Sequence, residues 1–307
     1  MLVTQYTDLI GRTPMLELRN IAPGLHGRVV AKLEMFNPMS IKDRAVLFMI
    51  KAIERDGKLK PETEVVEASS GNTAIALAAL ATTMGFKARV FISEAVSAER
   101  VVILNAYGAT VVRTPAAEHT RGARERAIAY CREHPNAFFL NQHDNLACCD
   151  AHYQTTGPEI WRDCGNSLGA VVLGLGTAGT FNGVSRFIKQ QNPAIKMIGF
   201  EPAASPVYSG GKQGEHHITG IGPGFVAGNF NAVRHLCDEI ALVTDDDAYA
   251  WARRVALKEG LLVGITSGAA AKVACDIAAR PEMAGKTVVC LFYDTGERYL
   301  SVKRLFE

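Results

Sequence analysis

The sequence predicts an α/β protein built on parallel sheet, and three observations carry that expectation. Strand-like and helix-like segments alternate through nearly all of the 307 residues. The strand-like segments are short and β-rich, and glycine-rich turns separate several of them from the helical pattern that follows. Strands that alternate with helices pair in parallel and are covered on both faces, so they read as apolar runs.

The runs span residues 29–33, 64–67, 89–92, 110–113, 138–140, 170–173, 197–201 and 288–292. The clearest helix follows Lys42, where Val46, Met49, Ile50 and Ile53 fall at i, i+3, i+4 and i+7 before a stop at Gly57. A second occupies 73–84 and ends at Gly85. Thr244 followed by three aspartates reads as a capped helix start, a structural role rather than a metal cluster. No internal repeat or low-complexity linker divides the chain. The polar stretch 141–150 is the best crossing point between two α/β units.

Bulk composition excludes several classes. Hydrophobic residues make up 48% and charged residues 21%, which is ordinary for a globular protein long enough to form two domains. The net charge is +2 and no basic run is interleaved with aromatics, so no nucleic-acid partner is expected. The amino terminus has neither a basic nor an apolar signal region, and no apolar stretch could span a bilayer, so no membrane role is expected. Seven cysteines, an odd number without a C-x-x-C pair, read as reduced thiols in the cytoplasm. Cys148–Cys149 and His216–His217 lack ligand spacing, and no metal is expected.

Ligands of doubly wound sheets bind at the carboxyl ends of the strands, and three loops stand out there. Glu67-Ala-Ser-Ser-Gly-Asn-Thr73 joins a strand to a helix. One Ser or Thr would be a helix cap, but five small polar residues in a row exceed what a cap needs and suit an anion such as a carboxylate. Gly174-Leu-Gly-Thr-Ala-Gly-Thr-Phe-Asn-Gly183 contains no Lys or Arg, so a phosphate there would rely on amides, hydroxyls and the helix dipole. Gly174, Gly176 and Gly179 also fit a dinucleotide fingerprint, with Glu201 where a ribose-binding acid belongs, so a nicotinamide-dependent oxidoreductase is the rival reading. The third loop is Asn37-Pro-Met-Ser-Ile-Lys-Asp-Arg44. A lysine at a helix amino end is electrostatically out of place; it is either an exposed lysine or one of lowered pKa suited to Schiff-base chemistry. Gly285-Lys-Thr287 is no nucleotide loop, because Arg280 stands where the first glycine is required and a strand follows.

Together these segments resemble the cysteine synthase/cystathionine β-synthase family of fold-type II pyridoxal phosphate enzymes. The likeness runs from Ile10-Gly-Arg-Thr-Pro14 to Gly296-Glu-Arg-Tyr-Leu-Ser301. Its landmarks are Ser40-Ile-Lys-Asp-Arg44, Ser70-Gly-Asn-Thr73, Thr155-Thr-Gly-Pro-Glu159, Gly176-Thr-Ala-Gly-Thr180, Gly220-Ile-Gly-Pro-Gly-Phe225 and Gly264-Ile-Thr-Ser-Gly268. The resemblance implies two doubly wound, three-layer αβα domains with the active site in the cleft between them. Residues 36–145 would form the smaller, mobile domain, and 1–35 with 146–307 the larger.

The family pattern then implies roles. Lys42 would be the catalytic Schiff-base lysine. Asn72 would contact the ring oxygen of pyridoxal 5'-phosphate, Gly176, Thr177, Ala178, Gly179 and Thr180 would hold its phosphate, and Thr266 would face its ring nitrogen. Ser69, Ser70, Asn72, Thr73 and Gln142 would hold the substrate carboxylate, and Gly222 would line the substrate cleft. The implied reaction is β-replacement on an O-activated L-serine, most simply O-acetyl-L-serine with sulfide. Cystathionine formation, O-phosphoserine sulfhydrylation and diamino-acid synthesis are its neighbours. A homodimer and a complex with a serine acetyltransferase are the implied assemblies. The chain departs from the pattern in a lysine loop one residue shorter, and at Ser69, Ala178, Pro223 and Thr266, where the family usually has Thr, Gly, Ala and Ser.

Overall fold

The computed structural model describes residues 2–69, 71–94 and 98–307. It divides into two compact units, Met1–Ile10 with Lys42–Cys148 and Gly11–Ile41 with Cys149–Glu307. The last of the three passages between them, after Cys148, lies inside the polar stretch 141–150. The amino-terminal residues, grouped by sequence with the larger unit, lie with the smaller one. Tyr6 explains why: its half-buried ring lies close enough to Asp43 and Tyr107 to feel their charge.

Among the described residues ten strands form in chain order: β1 (Met15–Glu17), β2 (Arg28–Lys32), β3 (Glu64–Ala68), β4 (Lys87–Ser93), β5 (Thr110–Thr114), β6 (Ala137–Phe139), β7 (Leu168–Gly174), β8 (Lys196–Pro202), β9 (Glu239–Val243) and β10 (Thr287–Leu291). The helices are α1 (Lys42–Arg55), α2 (Asn72–Met84), α3 (Ala98–Ala106), α4 (His119–Glu133), α5 (Leu146–Ala151), α6 (Gly157–Cys164), α7 (Gly179–Gln191), α8 (Gly228–Asn231), α9 (Asp245–Glu259) and α10 (Ile265–Ala278). All eight expected strands are present, with no end shifted by more than two residues. The two unexpected ones, β1 and β9, are sheet edges whose residues are mostly half-exposed, so they lack the apolar run of a buried strand.

In the smaller unit four parallel strands run in the order β5-β4-β3-β6. Val66, Ala68 and Phe91 pack on Ala123 and Ala127 of α4. Side chains alternate across a strand, so Val65 and Val90, equally buried, face the opposite layer. In the larger unit the order is β1-β2-β10-β7-β8-β9, parallel except for the antiparallel edge pair β1–β2. Every residue of β7 but Gly174 is buried, as a central parallel strand requires. Thr244 caps α9 as expected, its hydroxyl accepting from the Asp247 amide at 3.1 Å.

The loop that leads to Lys42 is anchored within the larger unit. The Asn37 amide nitrogen donates to the Glu34 carbonyl at 2.8 Å and carboxylate at 3.0 Å, and its oxygen accepts from the Gly11 amide at 2.7 Å. Arg298 donates to the Met39 carbonyl, and the Ile41 amide donates to the Tyr293 carbonyl at 3.0 Å. Nearby, the buried Lys32–Glu159 ion pair closes to 2.6 Å, and Glu159 also accepts the Arg12 amide at 3.0 Å. Breaking such a pair would strand a buried charge.

Helix α7 is held tightly against the chain that precedes α6. At Gly183 a Cβ would stand 2.2 Å from the Cys149 carbonyl oxygen and 2.6 Å from the Tyr153 amide nitrogen. Both are backbone atoms, so neither helix can yield cheaply. Gly183→Ala is therefore expected to destabilise the fold by about 2–3 kcal/mol, read as a lowered midpoint of urea unfolding; an unchanged midpoint would show that the crossing is loose.

Candidate active site

The smaller unit gathers one set of the expected residues at the carboxyl ends of β3 and β6. Asn72 is the first residue of α2, and Gly71 before it offers no side-chain cap. The first turn of α2 thus keeps its partial positive charge for a ligand. The Gly71 amide donates to Ser69 Oγ at 3.3 Å, and a guanidinium nitrogen of Arg100 lies 3.4 Å from where a Gly71 Cβ would stand. The Thr73 hydroxyl donates to Gln142 Oε1 at 2.7 Å, joining two loops that are 69 residues apart. Ser70 lies outside the described residues. Lys42 opens α1, and its charge reaches both Glu67 and His143.

The larger unit gathers the second set. The loop from Gly176 to Thr180 runs into α7, again without a side-chain cap. Its carbonyls are claimed from one side: the Tyr208 hydroxyl donates to Gly176 O at 2.5 Å, and Asn229 Nδ2 donates to Thr177 O at 3.0 Å. In a planar trans peptide the N–H points opposite to the carbonyl of the same unit. The amides of Thr177 and Ala178 are thereby aimed away from those partners. Ala178 completes the turn at φ +56°, the left-handed region that a Gly would occupy without strain. A Cβ at Gly176 would stand 2.4 Å from Gly220 O, so only glycine lets the two loops approach. Thr266, in the first turn of α10, donates its hydroxyl hydrogen to Thr219 O and presents its lone pairs. Gly222 is held by His216, whose Nε2–H donates to Gly222 O at 2.9 Å.

Several residues with a part in this geometry carry no local signal. Buried His152 joins Thr180 Oγ1, at 3.1 Å from Nε2, to Thr156 Oγ1, at 2.9 Å from Nδ1. His143 is half-buried, and burial together with the charges of Lys42 and Arg124 pulls its pKa down to about 4, so it is neutral at physiological pH. Tyr208, Asn229 and Glu67 were equally silent. Tyr208 lies 32 residues from the Gly176 carbonyl, Asn229 52 from the Thr177 carbonyl and Glu67 75 from the Gln142 amide, so only the fold brings these partners together.

Glu201 corrects the dinucleotide reading. The carboxylate ends β8 as that reading requires, but it is fully buried and both oxygens are occupied. Oε2 accepts from the Tyr208 amide at 2.8 Å, and Oε1 accepts from the Ser209 amide at 2.8 Å and hydroxyl at 2.5 Å. Its role is to fold the 205–209 turn that delivers Tyr208 to Gly176. No ribose could reach it.

Comparison with known proteins agrees with this geometry. A family model described as pyridoxal-phosphate dependent enzyme matches residues 6–294. A Bacillus subtilis (strain 168) protein named probable cysteine synthase is 44% identical over 306 residues, covering 98% of this chain and 97% of that protein. The crystal structure of O-acetyl serine sulfhydrylase isoform 3 from Entamoeba histolytica superposes with a TM-score of 0.94 at 35% identity, covering 99% and 92% of the two chains. An O-acetylserine dependent cystathionine beta-synthase from Helicobacter pylori superposes at 0.91 with 36% identity, covering 98% of each. Loops, lysine and near full-length likeness lead to one conclusion: the chain belongs to the family of pyridoxal-phosphate dependent enzymes.

Proposed function

We propose that this enzyme catalyses β-replacement on an O-activated L-serine, most simply O-acetyl-L-serine with sulfide giving L-cysteine and acetate. The observation that carries the reading is the pair of helix amino ends, α2 and α7, each entered by a small polar loop free of Lys and Arg. Near full-length likeness to a probable cysteine synthase and to an O-acetyl serine sulfhydrylase supports the same substrates. A second reading keeps the activated serine and changes the nucleophile to a thiol amino acid. The Helicobacter pylori neighbour, named for that reaction, favours it.

The residues fit pyridoxal phosphate. The loop at Gly176–Thr180 offers amides, two hydroxyls and a helix amino end for a dianion, which is a sufficient phosphate site without a basic side chain. Thr266 would face the ring nitrogen with a neutral oxygen, Asn72 would meet the ring oxygen, and Lys42 would hold the cofactor through Nζ. When bound, the cofactor supplies the conjugated sink that accepts the electrons left at the substrate Cα.

This chain's residues then have separable tasks in the proposal. Ser69, Ser70, Asn72, Thr73 and Gln142 fix the α-carboxylate, and that fixes which Cα bond faces Lys42. Lys42 Nζ takes the Cα proton as general base and later returns it, a role that requires the neutral amine. The amino end of α1 disfavours a cation at that position and so favours the form that is needed. Gly222 lines the side where the nucleophile enters. Thr266 would offer the ring nitrogen a neutral hydroxyl oxygen rather than a carboxylate, and so would not hold a proton there.

The finer parts of the reading are a homodimer, a complex with a serine acetyltransferase and a place in the cytoplasm. The seven free cysteines support a reducing compartment.

Lys42→Ala is expected to abolish turnover and the near-visible colour of the purified protein; turnover at the wild-type rate would end the assignment. Thr73→Ala should raise the midpoint for amino-acid capture about tenfold, one hydrogen bond's worth, while cofactor affinity changes little. Equal midpoints in a spectrophotometric titration would refute it. Tyr208→Phe leaves the Gly176 carbonyl without its donor, and cofactor affinity should fall about tenfold by equilibrium dialysis. A change confined to the amino-acid KM would contradict the role given to that loop.

A further inference from the structure

Glu67 is more than a packed strand end. It is 1% exposed at the carboxyl end of β3, two residues before Ser69. A buried carboxylate is costly unless its oxygens are satisfied. Here one oxygen accepts from the Ala68 amide at 2.7 Å and the other from the Gln142 amide at 3.4 Å. Ala68 opens the loop that carries Ser69 to Thr73, and Gln142 lies in the turn after β6. Gln142 in turn accepts the Thr73 hydroxyl at 2.7 Å. Glu67, Gln142 and Thr73 therefore close a ring of contacts between two loops of the smaller unit. The charged groups that face Glu67 are Arg124 from α4 and Lys42 from α1, both attractive. The Cys131 thiol, also on α4, feels its charge.

We propose that Glu67 is a positioning residue for the substrate carboxylate, its ionised side chain holding the Ala68 and Gln142 amides and so setting the spacing of Thr73 and Gln142. The proposal rests on the reading of Ser69–Thr73 and Gln142 as the carboxylate site. Glu67 touches no substrate in this arrangement and acts through the two loops. It also makes capture dependent on pH. Burial, which outweighs the attraction of Arg124 and Lys42, raises its pKa to about 7. Above that pH both oxygens accept. As the pH falls through it, one oxygen takes a proton, becomes a donor facing an N–H, and releases that amide. Capture is therefore tight above pH 7 and weakens below it.

The test is a spectrophotometric titration of the holoenzyme with L-serine from about pH 6 to about pH 8.5, in wild type, Glu67→Gln and Thr73→Ala. Glutamine keeps the volume but turns an N–H toward one of the two amides. The midpoints of wild type and Glu67→Gln should differ about tenfold at the upper pH, the weight of a hydrogen bond to a charged acceptor, and converge at the lower. Titration of the serine amine is common to both proteins and cancels in the ratio. A ratio of one throughout, or one that does not change with pH, overturns the proposal. Wild-type midpoints in Thr73→Ala would instead remove the carboxylate-site reading beneath it. Where Glu67→Gln fails to fold, isotope-edited infrared spectroscopy of the wild-type glutamate carboxyl bands decides. A glutamate that titrates near neutrality, and ionises at lower pH once L-serine saturates the protein, is expected by linkage; its absence overturns the proposal.

Discussion

The planarity of the peptide bond is the constraint on which the rest depends. A carbonyl fixed on one side of a peptide obliges the next amide to face the other. A few buried side chains can thus turn an ordinary strand-to-helix loop into an anion cradle without contributing any charge. In the proposed reading Tyr208 and Asn229 do this to the loop before α7, Tyr208 being placed by Glu201 and Asn229 by Asn182, whose amide nitrogen donates to its carbonyl. Glu67 works from the opposite polarity at β3, gathering amides where the other loop's side chains gather carbonyls.

This division of labour explains why so much of the polar interior is uncharged or internally neutralised. Lys32 is paired with Glu159, and Glu34 takes the Thr13 hydroxyl at 2.7 Å and the Asn37 amide at 3.0 Å. A charge beside either loop that is not balanced, as Glu67 is by Arg124 and Lys42, would bias it toward one ligand charge through every step of a cycle. Backbone dipoles are weaker individually but already oriented, so little reorganisation accompanies ligand entry.

The central strands were legible because burial on both faces writes them as apolar runs, as in β7 and β10. The edges were not, since β9 leaves Leu242 half exposed and carries no run to detect. The same contrast holds at the site. Lys42, Asn72 and Gly176 sit in local patterns, whereas Glu67 looks like any acid closing a strand until its partner 75 residues away is known. His152 and Thr180, 28 residues apart, pose the same problem. Glu201 misled for a related reason: the position after the second strand of a dinucleotide fold and the brace of a turn carry the same residue, and only burial separates them.

The close approach of Gly176 to Gly220 has a consequence for how this protein can diverge. One loop belongs to the cofactor in the proposed reading, and the other leads into Gly222 on the substrate side. Their backbones touch where neither can admit a side chain. New substrate preferences acquired through the 220–225 segment would then be inherited along with altered cofactor retention, and the two traits could not drift apart. Preference is freer to change at Ser69 or in the shortened loop before Lys42, so divergence among relatives should concentrate there.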